Sequence, residues 1–146
     1  MSKQNRVPFV VANFETVLKG ETLLSMAYES AYPAEDAAND LTQYMWVEGN
    51  MSKLEPLEVK MPALGTDVTK EVEFCTRDIE KFKYNLVKLK FRPFEEPKPF
   101  FSDNNLIDIS GSTVYGVFNG WVVDSEGNTW YIKNAKGFMR YGTLLA

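Results

Sequence analysis

The stretch YGVFNGWVVDSEGNTWYIKNAKGF, residues 115–138, decides which fold the chain is predicted to adopt. Two runs rich in aromatic and β-branched residues flank the segment DSEGN, residues 124–128. Such runs favour β-strands, and a short segment with Asp, Gly and Asn between them is typical of a hairpin loop, where Gly127 is free to take a positive φ. The stretch therefore predicts a β-hairpin. We expect Trp121 and Trp130, one on each arm, to lie close together as a cross-strand or diagonal pair.

Similar short runs, separated by turn-forming residues, occupy most of the chain. TQYMWVEGNMSKLEPLEVKM, residues 42–61, predicts a hairpin that turns at Gly49-Asn50, and VTKEVEFCT, residues 68–76, alternates as a half-buried strand does. In KFKYNLVKLKFRPF, residues 81–94, the apolar positions change parity at Leu86-Val87, which predicts a β-bulge or sharp bend. EEPKPFFSDNN, residues 95–105, contains two prolines and several turn formers, and it predicts a loop.

Together these segments predict a mainly β fold of about eight strands, with turns about ten residues apart. An antiparallel β-barrel of the lipocalin-like kind and a β-sandwich both fit this pattern. The only candidate helix is a short one after Pro33, and a loop fits there nearly as well. A length of 146 residues suits one domain, residues 1–146.

Composition excludes several classes of function. The chain has no histidine and a single cysteine, Cys75, which argues against Ser-His-Asp and Cys-His catalysis, disulfides and thiolate or histidine metal sites. We therefore predict no metal and no cofactor, and a non-catalytic protein is better supported than an enzyme. The net charge of −4 argues against a nucleic-acid partner. The sequence lacks a signal-peptide or membrane-span pattern, which predicts a cytoplasmic protein, or a virion protein if a phage encodes it.

Aromatic residues, 14% of the chain, supply the first candidate site. Side chains of this kind line an apolar ligand cavity in some small barrels, but they also form the packed core that a short chain needs. Packing is the better supported of the two interpretations. The candidates for ligand binding are Trp46, Phe74, Phe91, Phe118, Trp121 and Trp130.

Two carboxylates supply a weaker catalytic candidate. Glu15 shares strand parity with Phe9 and Val11, and Asp108 shares parity with Leu106. A carboxylic acid on an apolar strand face has a raised pKa and can act as a general acid. The alternative is that both residues lie on solvent-exposed faces or at strand ends.

Three segments in a fixed order resemble the C-terminal half of the domain-of-unknown-function 2804 family. They are QYMWVEGNMSKL, VKLKFRPF and NNLIDISGSTVYGVFNGWVVDSEGNTWYIKNAKGF. The positions that match the family pattern are Trp46, Glu48-Gly49, Lys53-Leu54, Pro93-Phe94, Phe118, Gly120, Asp124, Gly127 and Gly137-Phe138. This sequence departs from the pattern at Gln43 and Met139-Arg140, and it lacks a final Trp.

The resemblance implies a lipocalin-like barrel distantly similar to the carotenoid hydratases and AttH proteins. Family members have two barrel-like halves, and a lone half exposes the surface that normally meets its twin. The leading functional prediction is therefore a non-catalytic module that associates with itself or another protein, or that binds an apolar small molecule. The alternatives are a lyase or hydratase that uses Glu15 or Asp108 on an apolar substrate, and a structural subunit of a phage or another large assembly.

Overall fold

The computed structural model describes residues 7–18, 22–31, 43–60, 71–103 and 108–145. These residues form antiparallel strands and one 3-10 turn, Ile79–Lys81. The strands are β1 (Val7–Leu18), β2 (Thr22–Ala31), β3 (Gln43–Val47), β4 (Asn50–Lys53), β5 (Leu57–Lys60), β6 (Val72–Thr76), β7 (Leu86–Pro93), β8 (Lys98–Asp103), β9 (Asp108–Val123) and β10 (Thr129–Leu145). The prediction of a mainly β antiparallel fold is confirmed. The helix considered after Pro33 lies outside the described residues.

All ten strands belong to one sheet, with the order β4-β3-β2-β1-β10-β9-β7-β6-β5. The remaining strand, β8, pairs with the first part of β9, whereas β7 pairs with the last part of that strand. The hairpin of β9 and β10 lies at the centre, and β10 also pairs with β1 along residues 137–144. One continuous sheet corresponds to the barrel-like alternative and not to two stacked sheets.

The sheet curls because its two end strands are consecutive in the chain. Only three residues, 54–56, separate β4 from β5, and their Cα atoms allow a span of at most about 15 Å. Nine flat strands would place these ends about 38 Å apart at the usual strand spacing. The amide of Leu54 donates to the carbonyl of Gln43 at 2.8 Å, and the next amide, of Glu55, donates to the carbonyl of Asn85 at 3.2 Å. Two successive amides thus bond to opposite sides of the curled sheet, the first at the start of β3 and the second just before β7.

The concave inner face carries the hydrophobic core. Side chains alternate along each strand, so that Phe14, Met26 and Met45 point inward on neighbouring strands and all are at most 1% exposed. Phe118 lies among the aromatic rings, with its centroid 4.9 Å from both Phe14 and Phe91. Large side chains from strands at both ends of the sheet thus meet in one cluster, which stabilises the curled shape.

Gly116 and Gly137 leave room for these rings. They are directly opposite each other on β9 and β10. A Cβ atom on Gly116 would meet the ring of Phe91 at 2.6 Å, and a Cβ atom on Gly137 would meet the ring of Phe118 at 2.8 Å. Each glycine thus has a steric basis, because a side chain at either position would clash with a ring of the core.

Of two local predictions, one is confirmed in its second form and the other is wrong. The parity change at Leu86-Val87 follows a sharp bend and not a bulge, because residues 83–85 form bends, Asn85 has a φ of 60° and β7 starts at Leu86. A register shift does occur in the pairing of β10 with β9, between Ile132 and Ala135. Residues 98–103, predicted as part of a loop, form β8. Pro99 is tolerated there because β8, within the described ranges, pairs only with β9, and an edge strand has one side on which no amide is needed.

Candidate functional site

The six aromatic residues predicted to bind a ligand do not share one surface. Phe74, Phe91 and Phe118 are fully buried on the inner face, where the ring of Phe118 lies 5.9 Å from that of Phe74. Trp130 packs against the same core. Trp46 lies on the convex outer face, as Trp121 does, because each has the opposite strand parity to its buried neighbours. Four of the six residues therefore serve the core, and two lie on the outer face.

The expected pair of Trp121 and Trp130 does not form. In the register of the hairpin, Trp130 is opposite Val122, whereas Trp121 is opposite Tyr131. The two tryptophans are thus displaced by one residue, and a displacement of one residue turns side chains to opposite faces of a sheet. The length of the turn sets the register of the two arms, and the amino-acid composition of the arms does not reveal that register.

A cleft opens on the outer face where β1, β2 and β3 lie side by side. Its volume is about 360 Å³, and it is lined by Asn13, Glu15, Leu23, Ser25, Trp46 and Gly49. We call this set of residues the outer cleft. The register places Glu15 opposite Ser25, and Ser25 opposite Trp46, so that one row crosses three strands. Ser25 is the smallest side chain of that row, and it leaves the space between the carboxylate and the indole.

The hairpin between β3 and β4 closes one end of the outer cleft. Glu48 and Gly49 have φ values of 54° and 80°. Two successive positive φ values are what a two-residue type I′ hairpin turn requires. The amide of Glu48 also donates to the carbonyl of Leu23 at 2.9 Å, which ties the turn to β2. The predicted hairpin is thus confirmed, with its turn one residue earlier than expected.

Exposed apolar side chains flank the outer cleft. Val17 is opposite Leu23, and the two are 57% and 40% exposed. Met51, on the end strand β4, is opposite Trp46 and is 59% exposed. The ring of Tyr44 lies 6.0 Å from that of Trp46. The outer face of β1–β4 therefore combines a few polar side chains, Asn13, Glu15 and Ser25, with exposed apolar side chains around them.

The structure brings Glu15 and Trp46 into one cleft, although the sequence suggested them for separate reasons. Glu15 is exposed on the outer face, so it is not the carboxylate in apolar surroundings that the catalytic prediction needs. Asn13, Leu23 and Ser25 were not predicted from the sequence as members of the site. The parity of β1 already associated Asn13 with Glu15, but the pairing of three strands was needed to complete the set.

The second catalytic candidate, Asp108, lies far from the outer cleft. Its backbone is paired with Asp103 and Leu145, and its side chain lies outside the described set. Leu145 is eight residues along β10 from Gly137, the partner of Phe14, which corresponds to about 26 Å. Glu15 and Asp108 therefore cannot act together on one substrate.

The most strongly hydrogen-bonded carboxylate is Asp124, at the turn between β9 and β10. It is 6% exposed and accepts hydrogen bonds from the amides of Glu126 and Asn128 and from the indole of Trp130, each at 2.9 Å. Burial alone would raise the pKa of Asp124, but these bonds, with that from Trp130 the largest, hold its pKa below the ordinary value. Asp124 is thus a structural anion that fixes the turn and orients Trp130.

Cys75, on the outer side of β6, has a pKa that is raised and not lowered. Burial and the neighbouring charge of Glu73 raise the pKa of its thiol. A raised pKa keeps the thiol protonated near neutral pH, so Cys75 lacks the thiolate character of a nucleophile. In the part of the chain that the structure describes, no group of three or more Cys, Asp or Glu side chains could hold a metal ion.

The chain matches no protein-family model, no curated protein and no solved structure. The resemblance to the domain-of-unknown-function 2804 family therefore stays a prediction. None of the helices within the described ranges is both long and apolar enough to cross a membrane.

Proposed function

We propose that this chain is a non-catalytic module that associates with another protein through the outer face of β1–β4. The observation that carries the proposal is the contrast between the two faces. The inner face is packed with buried side chains, whereas Val17, Leu23 and Met51 are all at least 40% exposed around the outer cleft. An exposed apolar area that contains a few polar side chains is typical of a protein-interaction surface.

The edge of the sheet supports the same proposal. β4 is the end strand of the sheet, and in the described pairing it contacts only β3. A strand at a sheet edge offers unpaired amides and carbonyls to another chain. Met51 and Trp46 are directly opposite each other beside this edge, so a partner can contact the strand and the apolar side chains together.

Burial of the predicted ligand-binding aromatics makes an apolar ligand the weaker proposal. The ring of Phe118 lies beside those of Phe74 and Phe91 in the core, and each of the three residues is 0% exposed. The lyase or hydratase proposal, through Glu15 or Asp108, has less support still, because Glu15 is exposed and not in apolar surroundings. Neither alternative has an observation that favours it over association.

The test compares three forms of the protein. Met51→Asp places a charge on the outer face of β1–β4, and Tyr131→Asp makes the same change at a position that is 75% exposed on β10. Each form is used as bait in extracts of the source cells, and retained proteins are identified by mass spectrometry. We expect wild type and Tyr131→Asp to retain a common partner that Met51→Asp loses by at least about tenfold, as for an interaction hot spot.

Light scattering over a range of concentrations identifies self-association, as the structural-subunit prediction requires. A wild-type protein that stays monomeric, and that retains the same proteins as Met51→Asp, would contradict the proposed function. Circular dichroism of each variant confirms that the charge has not unfolded the sheet.

A further inference from the structure

The lining of the outer cleft is largely apolar, but it also carries groups that can bind a cation. One wall carries the carboxylate of Glu15, and the other carries the indole of Trp46, with the hydroxyl of Ser25 between them. The amide of Asn13 lies on the same face, two residues from Glu15. No lysine or arginine is among the described residues that line it. The cleft thus offers one carboxylate, hydrogen-bond acceptors, an aromatic face and the apolar side chain of Leu23. This combination suits a cation that is carried on an apolar stem.

We propose that the outer cleft receives an arginine side chain of the partner protein. This inference rests on the proposed function and names the chemistry of its central contact. A guanidinium group is planar, so it can stack on the indole of Trp46 while its N–H groups donate to the oxygens of Glu15, Ser25 and Asn13. Charge complementarity selects this occupant, because the cleft carries a carboxylate and the whole chain has a net charge of −4.

Other side chains suit the outer cleft less well. An apolar side chain would take water from Glu15 and Asn13 without replacing their hydrogen bonds, which is costly. A lysine ammonium is a compact, strongly hydrated charge, and it cannot stack and donate in several directions at the same time. The volume of about 360 Å³ is near the lower limit for small-molecule sites. It suits one long side chain with its adjoining backbone.

The first experiment titrates the full chain with N-acetyl-arginine amide and follows it by two-dimensional ¹⁵N NMR. The control probe is N-acetyl-citrulline amide, which has nearly the same shape as arginine but no charge. We expect arginine to shift the indole signal of Trp46 and the amide signals of Glu15 and Ser25 in a saturable way. Citrulline should bind at least about fivefold more weakly, as expected for the loss of an ion pair worth about 1 kcal/mol.

Substitutions at Glu15 and Trp46 test whether these residues cause the binding of arginine. Glu15→Gln removes the charge and keeps the size, and it should weaken arginine binding to the level of citrulline. Trp46→Ala should weaken it further, whereas Trp46→Phe should restore part of the affinity. Glu126→Gln is the matched control, since Glu126 is an exposed carboxylate in the distant β9–β10 turn.

Three results would overturn the inference: no saturable shift with arginine, equal binding of citrulline, or unchanged binding in Glu15→Gln. Each can be distinguished from failure of the proposed function. If a partner is lost in Met51→Asp but arginine does not bind, association stands and the arginine contact is wrong. If arginine binds but no partner depends on Met51, the cleft recognises guanidinium and the association proposal is wrong.

Discussion

The two faces of β1–β3 differ sharply, although alternate residues of the same three strands form them. Inward, Ala12, Phe14 and Met26 are at most 1% exposed and contact the rest of the core. Outward, Glu15, Ser25 and Trp46 form a row across the three strands that borders the outer cleft. The inner face must fill a fixed volume, so its side chains are constrained by packing. The outer face has no such constraint, and its chemistry is therefore the better guide to function.

The largest difference between the faces is expected at the aromatic cluster. Phe118→Ala removes a fully buried ring that contacts Phe14 and Phe91, and it should lower the free energy of unfolding by about 3–5 kcal/mol. Tyr131→Ala, at a site 75% exposed on the outer face, should change it by no more than about 0.5 kcal/mol. Urea denaturation measures both. Equal losses would contradict the assignment of the two faces.

A second test uses the same residue type on each face. Met45 is 0% exposed on β3, whereas Met51 is 59% exposed on the adjacent strand β4. Met45→Ala should cost about 2–4 kcal/mol because it leaves a cavity, but Met51→Ala should cost less than about 0.5 kcal/mol. Thermal and urea unfolding of the two variants give the comparison directly. A Met51 variant as unstable as the Met45 variant would show that β4 is covered in the folded monomer.

A methyl group on the inner face should also be more harmful than the loss of a long side chain on the outer face. In Gly137→Ala, the new Cβ would meet the carbonyl oxygen of Asn13 and the ring of Phe118. The expected loss is about 1–3 kcal/mol from overpacking. Lys136→Ala, at the adjacent exposed position, is the control and should be nearly neutral. If Gly137→Ala is as stable as wild type, β1 and β10 are not as close as the structure shows.

The smallest effect, and one that depends on pH, is expected at the β9–β10 turn. Asp124→Asn removes a charged acceptor from the Trp130 indole and two amides, and it should cost about 1–2 kcal/mol at pH 7. Because folding lowers the pKa of Asp124, its contribution is complete above the unfolded-state pKa, about 3.9, and decreases as the pH falls through the lower folded-state pKa. The stability difference between the two proteins should therefore narrow in acid.

The control for this pH effect is Glu126→Gln, in the same turn but exposed. It should change the free energy of unfolding by no more than about 0.5 kcal/mol. If the difference between wild type and Asp124→Asn stays constant from pH 7 to pH 3, the carboxylate does not have the lowered pKa that its hydrogen bonds imply.

Features governed by local alternation could be predicted from the sequence. The alternation of Val72, Phe74 and their neighbours correctly placed both residues on one face, and the 124–128 turn follows from its Asp and Gly. The parity change at Leu86-Val87 was predicted as a bulge or a sharp bend, and alternation alone could not separate the two, because a strand that starts after a bend has the same pattern. β8 was missed because proline suggests a loop unless the strand is known to lie at an edge.

The candidate site could be predicted only in part, because it depends on pairing between distant strands. Glu15 and Trp46 were both selected from the sequence, but as a buried acid and as a cavity wall. Their common location depends on the register of β1 with β2 and of β2 with β3. Register is a property of the assembled sheet, and a shift of one residue would have placed either side chain in the core.

The pairing of β1 with β10 has a consequence for the order of synthesis. Among the described strands, translation makes β1 first and β10 last, yet Val7 is paired with Leu144 and Phe14 with Gly137. While the ribosome is still adding β10, the hairpin of β1 and β2 can form. The edges of β1 and β9 that will pair with β10 have no hydrogen-bond partner strand during that time. Contacts of such long sequence separation form slowly. The nascent chain therefore carries two open strand edges until its last described strand has emerged, and aggregation competes with folding during that interval.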